Sequence, residues 1–296
     1  AALVQGKAYH LLDYSEEEHP IALQLGGSDP IQLAEAASIG QSRGYDEINL
    51  NVGCPSDRVQ SGSFGAVLMK NPKLVASCCE AMKKSTSVDI TVKCRIGVDD
   101  QDPEQILPEF LSHISNSGII RVIIHARKAV LKGLSPKENR DIPPLDHELV
   151  FRMKEKFPNL HISLNGGVTS LSAANELLTK GIDGVMIGRS AYQQPTRVLS
   201  EVDRQIFEEE PIRSPFEVAE EMRSYLKKHF DNGGKPHEFE FKDPMWHSWH
   251  DYDVGAIFGV KLQDNLGVFA EGKYLNYWER PAYDFKVGLN YQFVGW

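Results

Sequence analysis

Hydrophobic positions in the first two thirds of the chain gather into short runs rich in Ile, Val and Leu, each ending in Gly or polar residues. There are six: IALQLGG (21–27), EINLNVG (47–53), DITVKCR (89–95), RVIIHAR (121–127), HISLNGG (161–167) and GVMIGRS (184–190). Near-continuous apolar runs suit strands covered on both faces, as in a parallel sheet. Helical patterns lie between them. Asp29-Pro30 opens one over 30–43 that Gly44 closes, and Asn71-Pro72 opens another to about Lys84. The alternation predicts βα units, and polar or Gly residues at the C-terminal end of every run put the chemistry on the face that a barrel uses. The expected fold class is α/β, a TIM (β/α)8-type barrel. A doubly wound sheet fits less well, because no GxGxxG follows a first strand. Six runs are two short of eight. Residues 1–20 show no strand and helix of their own and the chain opens on Ala1, so the first two strands are expected upstream of it.

From about Glu208 to Lys228 the pattern turns helical, with Val218, Met222, Tyr225 and Leu226 near one face and Gly233-Gly234 as the breaker. Composition then changes abruptly: all four Trp lie after Pro236-His237 and all four Cys before it. The segments 254–262, 266–277 and 284–293 alternate with period two, Phe285, Val287, Leu289, Tyr291 and Phe293 on one face and Lys286, Gly288, Asn290 and Gln292 on the other. Their length and terminal aromatics resemble the last strands of an outer-membrane β-barrel. A soluble antiparallel meander with one buried face fits nearly as well. The expected division is a barrel over 1–207, the start of a helical domain over 208–237 and an antiparallel tail over 238–296.

A chain of 296 residues, 41% hydrophobic, can bury the core of one large barrel or two ordinary domains. Cys54, Cys78, Cys79 and Cys94 have no CxxC or His-containing spacing, which argues against a zinc site or a disulfide scaffold and for a reducing, cytoplasmic setting. No signal peptide and no apolar run of about 20 residues is present. The net charge of -9 excludes a broad basic surface, so a nucleic-acid partner would have to meet a local cluster of Arg and Lys.

Cys54 stands between Gly53 and Pro55 at a strand end, on a turn facing the catalytic side. A lone cysteine is usually buried and inert, but the surrounding string INLNVGCPSDRVQSGSFGAVLM resembles the tRNA-dihydrouridine synthase signature. LQLGGSDP, TVKCRIGVDD, IIHARKA, LSPKENR, LNGGV and IGR match as well, over roughly residues 1–237 and most closely the subclass that modifies D-loop uridines. The resemblance implies a flavoprotein that reduces uridine in tRNA with FMN, itself reduced by NADPH, with Cys54 as proton donor. A thiol ordinarily titrates near about 8.5, so at neutral pH it carries a proton to give.

By the same resemblance Lys93 and His125 flank the flavin ring, where a cation would stabilise the reduced anion, and Gln24 offers its amide to the ring's pyrimidine edge. Asn165, Gly166 and Gly167, with Gly188 and Arg189, occupy loops that bind phosphate in barrels; the glycines admit backbone N–H groups and Arg189 can pair with the phosphate. Asn51 is the candidate base contact, and Arg127, Lys137 and Arg140 form a candidate basic rim for tRNA, which would make binding salt-dependent. Two other readings stay open: a flavin barrel acting on a free pyrimidine, as in dihydroorotate dehydrogenase-like enzymes, and a fragment that keeps family residues without a competent site.

Overall fold

The computed structural model describes residues 2–56 and 64–208, scattered positions from 214 to 227, and the backbone of three strands between 252 and 291. Two compact units are present, Ala1–Ser214 and Pro215–Trp296.

In the first unit the six apolar runs become six strands: β1 (Ala22–Leu25), β2 (Glu47–Val52), β3 (Asp89–Arg95), β4 (Arg121–His125), β5 (His161–Asn165) and β6 (Gly184–Met186). They pair in parallel and in sequence order, so β1 and β6 form the two edges of the sheet. Helices cross between them: α1 (Pro30–Ser42), α2 (Pro72–Ser85), α3 (Pro103–Asn116), α4 (His147–Lys156) and α5 (Leu171–Thr179), with the short α6 (Arg189–Gln193) and α7 (Pro195–Val198) after β6. This is the α/β arrangement of a TIM barrel over six consecutive units. The stretch before β1 holds two single 3-10 turns, Tyr9–Leu11 and Glu16–Glu18.

The helix starts follow the sequence signals. The Asp29 carboxylate accepts from the backbone N–H groups of Ile31 and Gln32, and Asn71 accepts from that of Leu74, each ahead of a proline whose missing N–H removes one orphan donor. Helices α1 to α5 each bury an apolar stripe in the core. Val75, Cys78, Cys79 and Met82 of α2 and Leu107, Phe110, Leu111 and Ile114 of α3 are fully buried. Gly40 lets α1 come close, since a Cβ there would lie 2.5 Å from Ile48 Cδ1 and 2.8 Å from Leu23 Cδ2. The core between helices and sheet takes one side-chain set of each strand, such as Ile48, Leu50 and Val52 or Ile90, Val92 and Cys94. The alternate set faces inward and is strongly polar. That inward set supplies the site.

The second unit contains the antiparallel meander β7 (Tyr252–Gln263), β8 (Leu266–Tyr277) and β9 (Arg280–Tyr291). Register sets Val254, Ala256, Phe258 and Val260 level with Tyr274, Gly272, Ala270 and Val268, and these level with Tyr283, Phe285, Val287 and Leu289. The intervening register sets Glu271 level with Lys286 and Lys273 level with Asp284. Of the expected helix, Glu217, Val218, Glu220, Glu221, Ser224 and Lys227 are helical; Met222, Tyr225 and Leu226 lie outside the described residues, as do Gln292, Phe293 and the 57–63 part of the Cys54 signature.

Candidate active site

The C-terminal ends of all six parallel strands open into one cleft of about 650 Å³. Gln24, Asn51, Lys93 and His125 reach it from β1 to β4, Asn165 and Met186 from β5 and β6, and Cys54 from the turn after β2. Its charged lining is Lys93, Arg95, Arg140 and Arg189, with no Asp or Glu among the lining residues. In a chain of net charge -9 that concentrates positive potential where a ligand would sit.

Cys54 is half-buried, whereas Cys78, Cys79 and Cys94 are fully buried. Burial pushes the Cys78 thiol up to about 11 and those of Cys79 and Cys94 up to about 12, which leaves them inert near neutrality. The Cys54 turn is held from several sides. The Asn51 side-chain carbonyl accepts from the backbone N–H groups of Gly53 and Cys54, both at 3.0 Å; Arg95 Nε donates to Gly53 O at 3.1 Å; Ala66 N–H donates to Cys54 O at 2.8 Å. The thiol lies 3.6 Å from Ser56 Oγ.

Lys93 Nζ donates to Asn165 Oδ1 at 3.1 Å, and Asn165 Nδ2 donates to Met186 O at 2.8 Å, tying β3, β5 and β6 together. Burial, then the like charge of Arg95, lowers the Lys93 ammonium to about 8. Among the described residues no carboxylate pairs with it. His125 is 7% exposed; burial first, then Arg95 and Lys93, pushes its imidazole down to about 2, so it is neutral at physiological pH. Of the two residues expected beside the ring, Lys93 therefore carries the charge and His125 lines the cleft as a neutral imidazole. Gly166 makes room for it: at φ +110° a Cβ there would lie 2.6 Å from His125 Cδ2.

The remaining expected positions divide. Gly167 and Gly188 line the cleft, and a Cβ on Gly188 would meet nothing within 4 Å, so open space adjoins that backbone. Arg189 also lines it, but its guanidinium grips Asp141 through Nη2 at 2.7 Å and Nη1 at 3.3 Å, and the fork expected to be free for phosphate is engaged. The Gln24 amide, expected to meet a ring edge, already donates to Asn49 and accepts from Asn51; one N–H and one lone pair stay over. Arg140 lines the cleft beside Pro136. Arg127 and Lys137 do not: Arg127 Nη1 donates to Pro143 O, its Nε is buried without a partner, and Lys137 is exposed at the head of the Glu138–Arg140 turn.

Arg95, not among the expected site residues, also belongs to the cleft. It is 3% exposed, lines the cleft and donates to Gly53 O and, through Nη1 at 2.9 Å, to Asn139 O. Period two places it on the same inward face as Lys93, a signal present in TVKCR. Among the described residues no group of three or more His, Cys, Asp or Glu could hold a metal ion, and no helix is long and apolar enough to cross a membrane.

The sequence pattern of the family described as "Dihydrouridine synthase (Dus)" matches residues 1–242. Three proteins named tRNA-dihydrouridine(20/20a) synthase are similar over 234 residues, which is 78% of this chain. The one from Salmonella typhi is 54% identical with 70% of its length covered, that from Escherichia coli (strain K12) 53% with 67%, and that from Vibrio vulnificus (strain CMCP6) 52% with 71%. The chain, with its six βα units opening on a Cys-bearing cationic cleft, belongs to the dihydrouridine synthase family.

Proposed function

We propose that this chain reduces a uridine of tRNA, of the 20/20a type named for its relatives, to 5,6-dihydrouridine, with FMN in the cleft, NADPH as reductant and a cytoplasmic setting. The observation that carries the reading is a half-buried thiol on a clamped turn in one cleft with a half-buried lysine that, among the described residues, no carboxylate pairs. The residues fit a flavin. Lys93 is a desolvated cation awaiting an anion, His125 is neutral beside it, and the open space at Gly188 is where a phosphate can meet backbone N–H groups. A reduced flavin held there by these residues would supply hydride chemistry for C6 of the uracil ring. Cys54 then completes the addition by giving its Sγ–H proton to C5, and the thiolate left behind recovers a proton from solvent. Asn51, whose carbonyl is spent on the Cys54 turn and whose amide gives one hydrogen to Gln24, keeps its second amide hydrogen for a pyrimidine oxygen. Lys93 keeps positive charge beside the ring, and Arg140 offers charge to the RNA backbone at the rim.

The test is spectroscopic and chemical. The purified chain should show a flavin absorbance band and, with NADPH, form dihydrouridine, read by mass spectrometry, in tRNA isolated without that modification. Cys54→Ala should keep the band and lose product formation by about 100-fold or more, the range for a general acid. A chain that neither holds flavin nor forms dihydrouridine would refute the proposal.

A further inference from the structure

The inward face of β1 to β3 carries a polar layer that the chemistry above does not use. Register sets Gln24, Asn49 and Thr91 side by side, with Glu47 one inward position below Asn49 and Asn51 one above. From the bottom, Arg121 Nη1 and Thr91 Oγ1 donate to the two Glu47 oxygens at 2.8 and 2.5 Å. Asn49 Nδ2 donates to Thr91 Oγ1 at 2.8 Å, Gln24 Nε2 to Asn49 Oδ1 at 2.8 Å, and Asn51 Nδ2 to Gln24 Oε1 at 2.9 Å. The chain ends where Asn51 Oδ1 receives the Gly53 and Cys54 N–H groups.

Its polarity is fixed at both ends. A carboxylate can only accept, so the Thr91 hydroxyl spends its one proton on Glu47 and meets Asn49 as an acceptor. Each amide above must then present its NH2 downward and its carbonyl upward. The two backbone N–H groups at the top demand the same orientation. Thr91 is fully buried and Asn49 is 4% exposed, where polar groups are tolerated only when satisfied.

We propose that Glu47 and Thr91 are positioning residues for the reduction: acting through Asn49, they fix the side-chain amides of Gln24 and Asn51 and with them the turn that carries Cys54. This rests on the reading of the cleft given above, so the test has a readout independent of it. Thr91→Val keeps the shape of the side chain and removes the hydroxyl; Thr91→Ser keeps the hydroxyl and removes the methyl. Two rates are compared in the flavin-loaded full chain: single-turnover reduction at saturating tRNA, and alkylation of Cys54 by iodoacetamide, to which the three buried cysteines do not contribute.

Thr91→Val is expected to slow reduction about tenfold, leave half-saturating tRNA within about twofold, and change the alkylation rate by roughly threefold or more; Thr91→Ser should stay within about twofold on all three. Should Thr91→Val not fold, Glu47→Gln, which preserves volume but lets the bottom of the chain donate, carries the same expectations as Thr91→Val. Wild-type rates for the variant without the hydroxyl or the carboxylate would overturn the proposal. So would equal losses in Thr91→Val and Thr91→Ser, since packing alone would then explain them. If the wild-type chain reduces no uridine while alkylation still separates Val from Ser, the positioning role stands and only the assigned reaction fails.

Discussion

Lys93 shows at the scale of one residue how the site opposes the fold. Among the described residues its ammonium has the Asn165 amide as its one hydrogen-bond partner, and desolvation and the like charge of Arg95 lower it to about 8. The unfolded chain would hold that proton up to about 10.4. Between those values the unfolded state binds more protons than the folded one, so on this account stability rises with pH. Below about 8 the charged lysine is a standing penalty. Lys93→Met keeps the stem and removes the charge. It should therefore melt higher than the native chain at pH 7, by on the order of 1 kcal/mol, or about 2–4 °C at this size. The advantage should shrink as pH approaches 10, while the variant loses the flavin band. Melting curves at pH 7 and 9.5 measure this; a variant no more stable at pH 7 contradicts it. A group that weakens the fold and faces a cleft is one that the ligand is expected to compensate.

At the scale of elements, the loop between β4 and α4 is organised by one buried asparagine. Asn139 Nδ2 donates to Val130 O at 2.8 Å, Leu134 O at 3.2 Å and Ser135 O at 3.3 Å, and its Oδ1 accepts from Val130 N–H at 2.7 Å. Its backbone carbonyl receives Arg95, whose other arm holds the Cys54 turn. Asn139→Ala would remove the side-chain partner of the part-buried Val130 N–H and of the Val130 and Leu134 carbonyls, and about 1–3 kcal/mol of stability should be lost, seen as a lower urea midpoint and as new proteolytic cleavage between residues 130 and 140. A change under about 0.5 kcal/mol would show that the loop does not depend on it. In LSPKENR the charged residues Lys137 and Arg140 stand out in the sequence. That Asn139 turns inward is not legible there, because an irregular loop has no period to say which polar side chain is buried. Strands do have one. The six runs became six strands at nearly the expected positions, since burial on both faces leaves a continuous apolar signature. The polar inward layer of Glu47, Asn49 and Thr91 was readable by the same period of two, once β2 and β3 are aligned by register. Register itself is set by packing in three dimensions, and so the pairing of Gln24 with Asn49 and of Arg189 with Asp141 became visible only in the structure.

For the whole molecule, charge is the quantity that neither composition nor a single site gives. The sum of -9 opposes a polyanion at long range, whereas the cleft presents Lys93, Arg95, Arg140 and Arg189 without a carboxylate in its lining. Lys93 and Arg95 lie deep and bonded within the protein, and Arg189 is neutralised by Asp141. Arg140 is exposed at the rim. On this arrangement Arg140 is the cleft cation best placed to displace a counterion from the RNA backbone. Each such contact contributes about 0.7–0.9 to the slope of log affinity against log salt. Arg140→Ala should therefore weaken tRNA binding and flatten that slope by about one, with the flavin band unchanged, in anisotropy titrations from about 50 to 200 mM salt. An unaltered slope would remove Arg140 from the backbone contacts and move the RNA path away from the 136–140 rim.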